Sequence, residues 1–385
     1  MESAQQKESG RDENQITSGT GHIRGLNGLR ALAVLLVLFR HTFHLYFQQI
    51  DPQTLSALDW IKPLFTNGWI GVDLFFVLSG FLISRPFFSE GRKMPSLKTY
   101  AMKRVLRIVP AYYVVLFLIV LGLFPFYNID TDNLGWRTAY HMLFMQDYLD
   151  PDINTVFWSL GVEEKFYFLI PLMFLALPFL KSDKAKSGLF IAIILLTPFL
   201  RWLSYEAAGG VDAYYDFFRT VRAPFHCCLE PLFLGVLIAQ CEKKGWKPFC
   251  PKWTLRLSAL ALFTVMVSHE MMDVIGLYDV ILQPLLISCL MAGLVYGVVM
   301  GERSRVLENK CGDFFARTSY SLYLLHWPLF PLAFIMTQVW AGDDANAYTV
   351  FGLFALTYCG FSILAATIQY HVIERPFLSL KSKLR

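Results

Sequence analysis

The sequence predicts an all-α polytopic membrane protein with about ten transmembrane helices and both termini in the cytoplasm. Three observations support this fold class: an apolar composition, regularly spaced apolar runs and an uneven distribution of basic residues. Of the 385 residues, 55% belong to the hydrophobic set AVILMFWYC and 17% are charged, whereas soluble domains carry about 25% charged residues. This composition excludes a disordered chain, a disulfide scaffold and an ordinary cytosolic enzyme.

Ten apolar runs follow one another along the chain, each close to the ~20 residues that a helix needs to cross ~30 Å of hydrocarbon. They cover residues 26–47, 66–88, 105–125, 158–180, 187–205, 222–241, 254–272, 278–300, 317–340 and 349–373. We expect a membrane domain over 23–377, a disordered cytoplasmic tail over 1–22 and a basic cytoplasmic tail over 378–385. The first tail lacks the apolar segment of a signal peptide.

Lysine and arginine are divided unequally between the two sides of these runs. Of the 34 basic residues, 26 lie in one alternating set of connecting segments, which includes both termini, and five lie in the other set. Since basic residues accumulate in cytoplasmic loops, this split predicts that both termini are cytoplasmic. The formal net charge of +4 comes without a long basic tract, so the sequence does not indicate a nucleic-acid partner.

Ionisable side chains within apolar runs are costly to bury and therefore mark candidate functional positions. His41 lies in the first run, Asp73 near the start of the second and Glu163 near the start of the fourth. The predicted orientation puts these three side chains at one depth of the bilayer. A carboxylate beside an imidazole fixes its tautomer and raises its basicity, as a general base requires. We therefore predict a catalytic group of His41, Asp73 and Glu163; the alternative is a buried polar network that only holds the helices together.

A cationic site is predicted near the cytoplasmic ends of the first and third runs. Arg104 and Arg107 are three residues apart and therefore share a helix face. Arg30 shares a helix face with His41, ~16 Å away along the axis. Guanidinium forks suit phosphate oxygens. The alternative for the Arg104 and Arg107 pair is a positive-inside anchor at a helix end.

A substrate pocket is predicted from further polar side chains in or at the ends of the apolar runs. Those of the ninth run fall on adjoining parts of one helix face, and an arginine at the start of the sixth run could bind an anionic acceptor or lipid headgroups. The candidates are Glu164, Tyr167, Arg222, Ser319, Tyr323 and His326. We predict no metal site, because the sequence has no His-x-x-x-His pair or metal-spaced cysteine cluster.

These segments, in this order, resemble acyltransferase family 3, a family of ten-helix membrane O-acyltransferases. The resemblance extends from Arg24 to Pro376 and is carried by seven short motifs. They are Arg-x10-His at Arg30 and His41, GVDLFFVLSGF at 71–81, Arg-x-x-Arg at Arg104 and Arg107, WSLGVEEKFY at 158–167, FLG at 233–235, SYSLYLLH at 319–326 and Glu-x-Pro at Glu374 and Pro376.

The resemblance implies transfer of an acyl group, usually acetyl from acetyl-CoA, to a hydroxyl, with His41 as the catalytic residue. We expect a multi-pass enzyme of the bacterial inner membrane that acts on a cell-surface glycan or its lipid-linked precursor. The CoA phosphates would meet Arg30, Arg104 and Arg107, and no tightly bound cofactor is expected. The expected partners are the acyl-CoA donor, the glycan acceptor and membrane lipids, whereas the residues do not indicate an oligomeric state.

Several alternatives remain open at this point. The acceptor hydroxyl could attack the thioester directly, or the acyl group could pass through an acyl-histidine intermediate. The acyl group could be succinyl or longer, and the acceptor a small molecule such as a macrolide. In a different class, a transporter or flippase could use the intramembrane charges as a proton pathway.

Overall fold

The computed structural model describes residues 23, 25–50, 52–88, 96–180, 182–211, 213–268, 275–301, 304–342 and 344–381. Within these ranges the regular secondary structure is helical and contains no strand, in agreement with the predicted all-α class. The tail predicted over 1–22 and the last four residues of the basic tail, 382–385, lie outside the described residues.

Fifteen α-helices follow one another in the described part of the chain. They are α1 (Gly25–Phe47), α2 (Lys62–Thr66), α3 (Gly71–Ser84), α4 (Leu97–Val120), α5 (Leu134–Met142), α6 (Trp158–Ala176), α7 (Asp183–Ala207), α8 (Tyr214–Phe217), α9 (Leu229–Lys244), α10 (Pro251–Ser268), α11 (Gln283–Met300), α12 (Lys310–Leu325), α13 (Phe330–Ala341), α14 (Ala347–Gln369) and α15 (Arg375–Lys381). Short 3₁₀ segments lie at Pro52–Leu58, Asn67–Ile70, Arg85–Phe88, Thr155–Phe157, Leu177–Phe179 and Phe225–Cys227, and π-helical turns at Phe218–Arg222, Tyr278–Leu282 and Tyr370–Glu374.

Several of these helices are long and apolar enough to cross a membrane. Five stretches of the described residues qualify: Gly25–Phe47, Lys62–Phe88, Asp183–Ala207, Tyr278–Met300 and Ala347–Leu380. The bent pair α12 and α13 makes a sixth if it counts as one span. Charged side chains interrupt the apolar sequence of α4 and α6, which therefore do not qualify. The chain is a multi-pass membrane protein, while the count of ten spans and the cytoplasmic termini stay predictions.

The ninth predicted run, 317–340, is wrong as a single straight helix, because α12 and α13 meet at an angle of 88°. Pro328 lies at the break and Pro331 follows in the first turn of α13. Proline lacks a backbone N–H, and its ring clashes with the carbonyl of the residue four positions earlier. The break leaves His326 as the C-cap of α12, buried with 1% of its surface exposed.

Close contact with α1 positions the segment that enters α3. An added Cβ at Gly68 would overlap the Leu36 carbonyl oxygen, and one at Gly71 would overlap the Ala33 carbonyl oxygen. Only glycine allows backbones to approach so closely. The start of α3 therefore lies directly against the middle of α1, and this contact brings Trp69 into the same cavity as the side chains of α1.

Candidate functional site

Two neighbouring cavities between the helices contain most of the predicted site residues. The His41 cavity, of ≈ 1290 Å³ with the open space at its mouth included, is lined by side chains that include Arg40, His41, His44, Trp69, Val72, Trp158, Tyr214, Arg222, Asp279, Tyr323 and Trp327. The arginine cavity, of ≈ 740 Å³ counted in the same way, is lined by side chains that include Arg30, Val72, Ser79, Arg104, Arg107, Glu163, Tyr167, Ser319 and Tyr323. Val72 and Tyr323 line both cavities, so these two side chains stand where the cavities meet.

His41 is paired with a second histidine. Its Nδ1 lies 2.8 Å from Nε2 of His326, and the two rings stack with their centroids 4.9 Å apart and 24° between their planes. The Trp327 ring meets His41 edge-on, with 5.0 Å between centroids. The partner of His41 is therefore supplied by the proline-broken helix pair.

The hydrogen bonds of this pair assign its tautomers. Nδ1 of His326 lies 3.0 Å from the Leu322 carbonyl oxygen, which can only accept a hydrogen bond, so Nδ1 of a neutral His326 carries the proton. Nε2 of His326 then accepts, and Nδ1 of His41 donates to it. The remaining nitrogen, Nε2 of His41, keeps a free lone pair, as a general base or nucleophile requires.

Asp73 does not contact His41, so the predicted carboxylate–imidazole contact is wrong for this residue. Asp73 is 1% exposed and accepts two hydrogen bonds from Arg222, at 3.0 Å and 2.8 Å. The Arg222 guanidinium in turn lies over the rings of Trp69 and Trp158, 5.1 Å and 5.3 Å from their centroids. Asp73 thus holds Arg222 in the wall of the His41 cavity, and its catalytic role stays a prediction.

Glu163 belongs to the arginine cavity and not to the immediate surroundings of His41. Its carboxylate accepts hydrogen bonds from the Ser79 hydroxyl at 2.9 Å and the Tyr167 hydroxyl at 2.5 Å. Tyr167 lies one helical turn after Glu163 on α6, so this part of the site is built locally. The expected contact between Glu163 and His41 is therefore also wrong, because the carboxylate is engaged by Ser79 and Tyr167.

The three predicted phosphate-binding arginines line one cavity together. Among the described residues, no carboxylate oxygen lies within 4.0 Å of Arg30, Arg104 or Arg107 as an ion-pair partner. The Arg104 guanidinium lies 5.3 Å from the centroid of the Tyr167 ring. Three cations thus face a cavity whose described lining residues include a single carboxylate, Glu163, and an anionic ligand would compensate them.

The remaining predicted pocket residues divide. Tyr323 lines both cavities and its hydroxyl lies 2.6 Å from the Ser159 hydroxyl, while Ser319 lines the arginine cavity and donates to the Ala316 carbonyl. Glu164 lines neither of these two cavities, and its assignment to the pocket stays a prediction.

Sequence reasoning missed two features of the His41 cavity, namely its aromatic wall and the buried Arg40 within it. Trp69, Trp158 and Tyr214 come from three separate segments, and although Trp158 begins the WSLGVEEKFY motif, nothing in the sequence shows that the three rings line one cavity. The sequence identifies Arg40 only as a charged residue inside the first run. Its position next to His41 is a signal that could have marked it as a candidate site residue. The described part of the chain has no group of three His, Cys, Asp or Glu side chains arranged to hold a metal ion.

Comparisons with known proteins extend over almost the whole chain. The sequence model of acyltransferase family 3, described as an acyltransferase domain, matches residues 23–368. The peptidoglycan O-acetyltransferase OatA of Listeria monocytogenes is 25% identical over 388 residues, which cover 92% of this chain and 56% of that protein. A provisionally named peptidoglycan O-acetyltransferase of Bacillus subtilis, YrhL, is 24% identical over 383 residues, with 92% and 55% covered. The chain thus spans a little over half the length of these curated relatives, and no solved structure matches it.

Proposed function

Because this chain belongs to acyltransferase family 3, as its motifs predicted, we propose that it is an O-acetyltransferase of the bacterial inner membrane. It transfers an acetyl group from acetyl-CoA to a hydroxyl of a cell-envelope glycan or its lipid-linked precursor. The observation that carries the proposal is the pair of cavities that meet at Val72 and Tyr323, one lined by three arginines and the other by a histidine with a free ring nitrogen. The names of the relatives support a glycan acceptor.

The arginine cavity is the proposed donor site. The phosphates of acetyl-CoA bind Arg30, Arg104 and Arg107, whose charges have no carboxylate partner within 4.0 Å among the described residues. The extended pantetheine arm follows α1 towards Tyr323 and places the thioester near His41. We place this cavity on the cytoplasmic side because acetyl-CoA is cytosolic and because basic segments predict that the ends of α1 and α4 nearest these arginines lie inside.

His41 is the proposed general base. Its Nε2 takes the proton of the acceptor hydroxyl, whose oxygen attacks the thioester carbonyl carbon. The C–S bond then breaks, the CoA sulfur leaves, and His41 returns the proton to it. His326 holds the ring of His41 with Nδ1 protonated and accepts its hydrogen bond throughout. An acyl group on Nε2 of His41 is the competing route and uses the same free nitrogen.

Labelled donor tests this proposal directly. Membranes that contain the protein receive acetyl-CoA with a radiolabelled acetyl group and a peptidoglycan-type glycan, and alkali-labile label on the glycan is measured. We expect His41→Ala to lower transfer about 10²- to 10⁴-fold, as loss of a general base does. His371→Ala, which removes an exposed histidine after α14, is the matched control and keeps wild-type transfer.

Two other outcomes separate the alternatives. Full transfer by a well-expressed His41→Ala protein contradicts the proposed base. Movement of an unmodified solute without any labelled hydroxyl favours the transporter class. Label that stays on the wild-type protein but not on His41→Ala favours the acyl-histidine route.

A further inference from the structure

Arg40 is a buried cation in the wall of the His41 cavity with an incomplete set of partners. The residue is 3% exposed, and its Nη1 has no hydrogen-bond partner among the residues that the structure describes. No described carboxylate oxygen lies within 4.0 Å of its guanidinium as an ion-pair partner. Since an arginine side chain does not lose its proton in a protein, this buried charge has no counter-ion in the described part of the chain.

The other buried arginines of the described chain show that this situation is exceptional. Arg201 is 2% exposed and pairs with Glu230. Arg137 is 8% exposed and pairs with Asp152 at 2.5 Å. Each has a carboxylate because desolvation of a charge is unfavourable unless an opposite charge compensates it. Arg40 lies instead beside an open volume, where a ligand can supply the missing anion.

Among the described residues, no other charged side chain that lines the His41 cavity supplies the negative charge that Arg40 lacks. Arg222, the second arginine of the lining, is compensated by Asp73. Asp279, the one carboxylate among the described lining residues, accepts a hydrogen bond from the backbone N–H of Gly276 at 3.0 Å and forms no ion pair with Arg40. Arg40 is therefore left without an ion-pair partner among the described residues of the cavity wall, and an anion beside its guanidinium would pair with it.

The aromatic side chains of the wall indicate what kind of molecule carries this negative charge. Trp69, Trp158, Tyr214 and Trp327 line the cavity, and aromatic rings with a polar edge suit the mixed apolar and hydroxyl surface of a sugar ring. Arg40 directly precedes His41 on α1. An anion bound to its guanidinium would anchor a sugar whose hydroxyl reaches Nε2 of His41.

We propose that the His41 cavity recognises a carboxylate or phosphate group on the acceptor sugar through Arg40, so that the enzyme selects anionic over neutral carbohydrates. This inference rests on the proposed O-acetyltransferase function and narrows its acceptor class. Recognition by charge also gives a function to a costly buried cation that lies beside the aromatic side chains of this wall.

A binding experiment with matched sugars tests the inference without requiring transfer. The full chain is purified in dodecyl maltoside, a detergent without phosphate, and quenching of its tryptophan fluorescence is titrated. N-acetylmuramic acid is compared with N-acetylglucosamine, which lacks the lactyl carboxylate, and glucose 6-phosphate with glucose. We expect the wild type to bind at least one anionic member about 10- to 100-fold more tightly than its neutral counterpart, as hydrogen bonds to a charged group predict.

Variants of Arg40 assign that preference to its guanidinium. Arg40→Gln is expected to remove the preference and leave the weak binding of the neutral sugar unchanged, whereas Arg40→Lys keeps the charge and part of the preference. Arg219→Gln removes a half-exposed arginine that does not line the cavity and keeps the wild-type preference. Stabilisation of each variant by CoA shows that its fold is intact.

The possible failures are distinguishable. Equal binding of charged and neutral sugars by the wild type, or no binding of either, overturns the inference. A preference that survives Arg40→Gln overturns it as well. Charge-dependent binding without any acetyl transfer from acetyl-CoA contradicts the proposed function but leaves the anion site standing. Transfer to neutral and anionic sugars with equal kcat/KM supports the proposed function and overturns the anion site.

Discussion

The two cavities differ in how their functional groups are assembled. In the arginine cavity, Arg104 and Arg107 are one turn apart on α4, and Tyr167 hydrogen-bonds Glu163 four residues earlier on α6. In the His41 cavity, the partners are distant along the chain: His41 and His326 are separated by 285 residues, and Asp73 and Arg222 by 149. The proposed donor side thus depends largely on local spacing, whereas the proposed acceptor side depends on the packing of distant helices.

The largest effect is expected from breaking the distant pair of the His41 cavity. His326→Phe keeps an aromatic ring but removes the nitrogen that accepts from His41, so we expect kcat to fall about 100-fold through loss of the correct tautomer. His326→Gln retains an acceptor oxygen and should restore part of this loss. Steady-state kinetics with labelled acetyl-CoA measures both, with KM for acetyl-CoA unchanged. Equal losses in the two variants would contradict a positioning role.

The next effect comes from the local pair of the arginine cavity. Arg104→Gln combined with Arg107→Gln should raise KM for acetyl-CoA about 10- to 100-fold and leave kcat nearly unchanged, because charged hydrogen bonds to the donor phosphates are lost before and during the reaction alike. Lys103→Gln, on the same helix but outside the lining of both cavities, serves as the control. A fall in kcat without a change in KM would argue against a donor site here.

A smaller effect is expected from breaking the ion pair between Asp73 and Arg222, which supports the proposed acceptor side. Asp73→Asn and Arg222→Gln should each destabilise the protein, since either change leaves a buried group without its partner. The double variant should lose less than the sum, with a coupling energy of about 1–3 kcal/mol in the free energy of unfolding. Denaturant titration in detergent gives the four values of this cycle. Strict additivity would show that the two side chains do not stabilise each other.

The smallest effect is expected for His141, which lines neither cavity and serves as a reference for the predictions made there. His141 lies on α5, in the connection between α4 and α6. It is fully buried, and burial lowers its pKa from 6.5 to about 4. The unfolded chain therefore binds this proton more readily, so the stabilising contribution is complete above pH 6.5 and is lost as the pH falls towards 4. We expect a loss of about 1 kcal/mol near pH 5.5, measured by thermal unfolding. His141→Gln should flatten this pH dependence, and an unchanged slope would contradict the assignment.

Much of the arginine cavity was predictable from the sequence, because residues on one helix keep a known rise and angular spacing. The pairing of Arg104 with Arg107 and the depth of Arg30 follow from this regularity. The partner of His41 was not predictable in this way, since similar depth along two helices says nothing about which faces meet.

The amino-acid sequence by itself determined the helical membrane class, the family and the positions of the rare charges along each helix. Only the tertiary structure decided that His326, and not a carboxylate, accepts from His41, that Asp73 holds Arg222, and that Arg40 has no counter-ion among the described residues. The physical reason is that position along a helix follows from the rise per residue. Contacts between helices depend on the angle at which each one packs, and here a proline break and close glycine contacts set that angle.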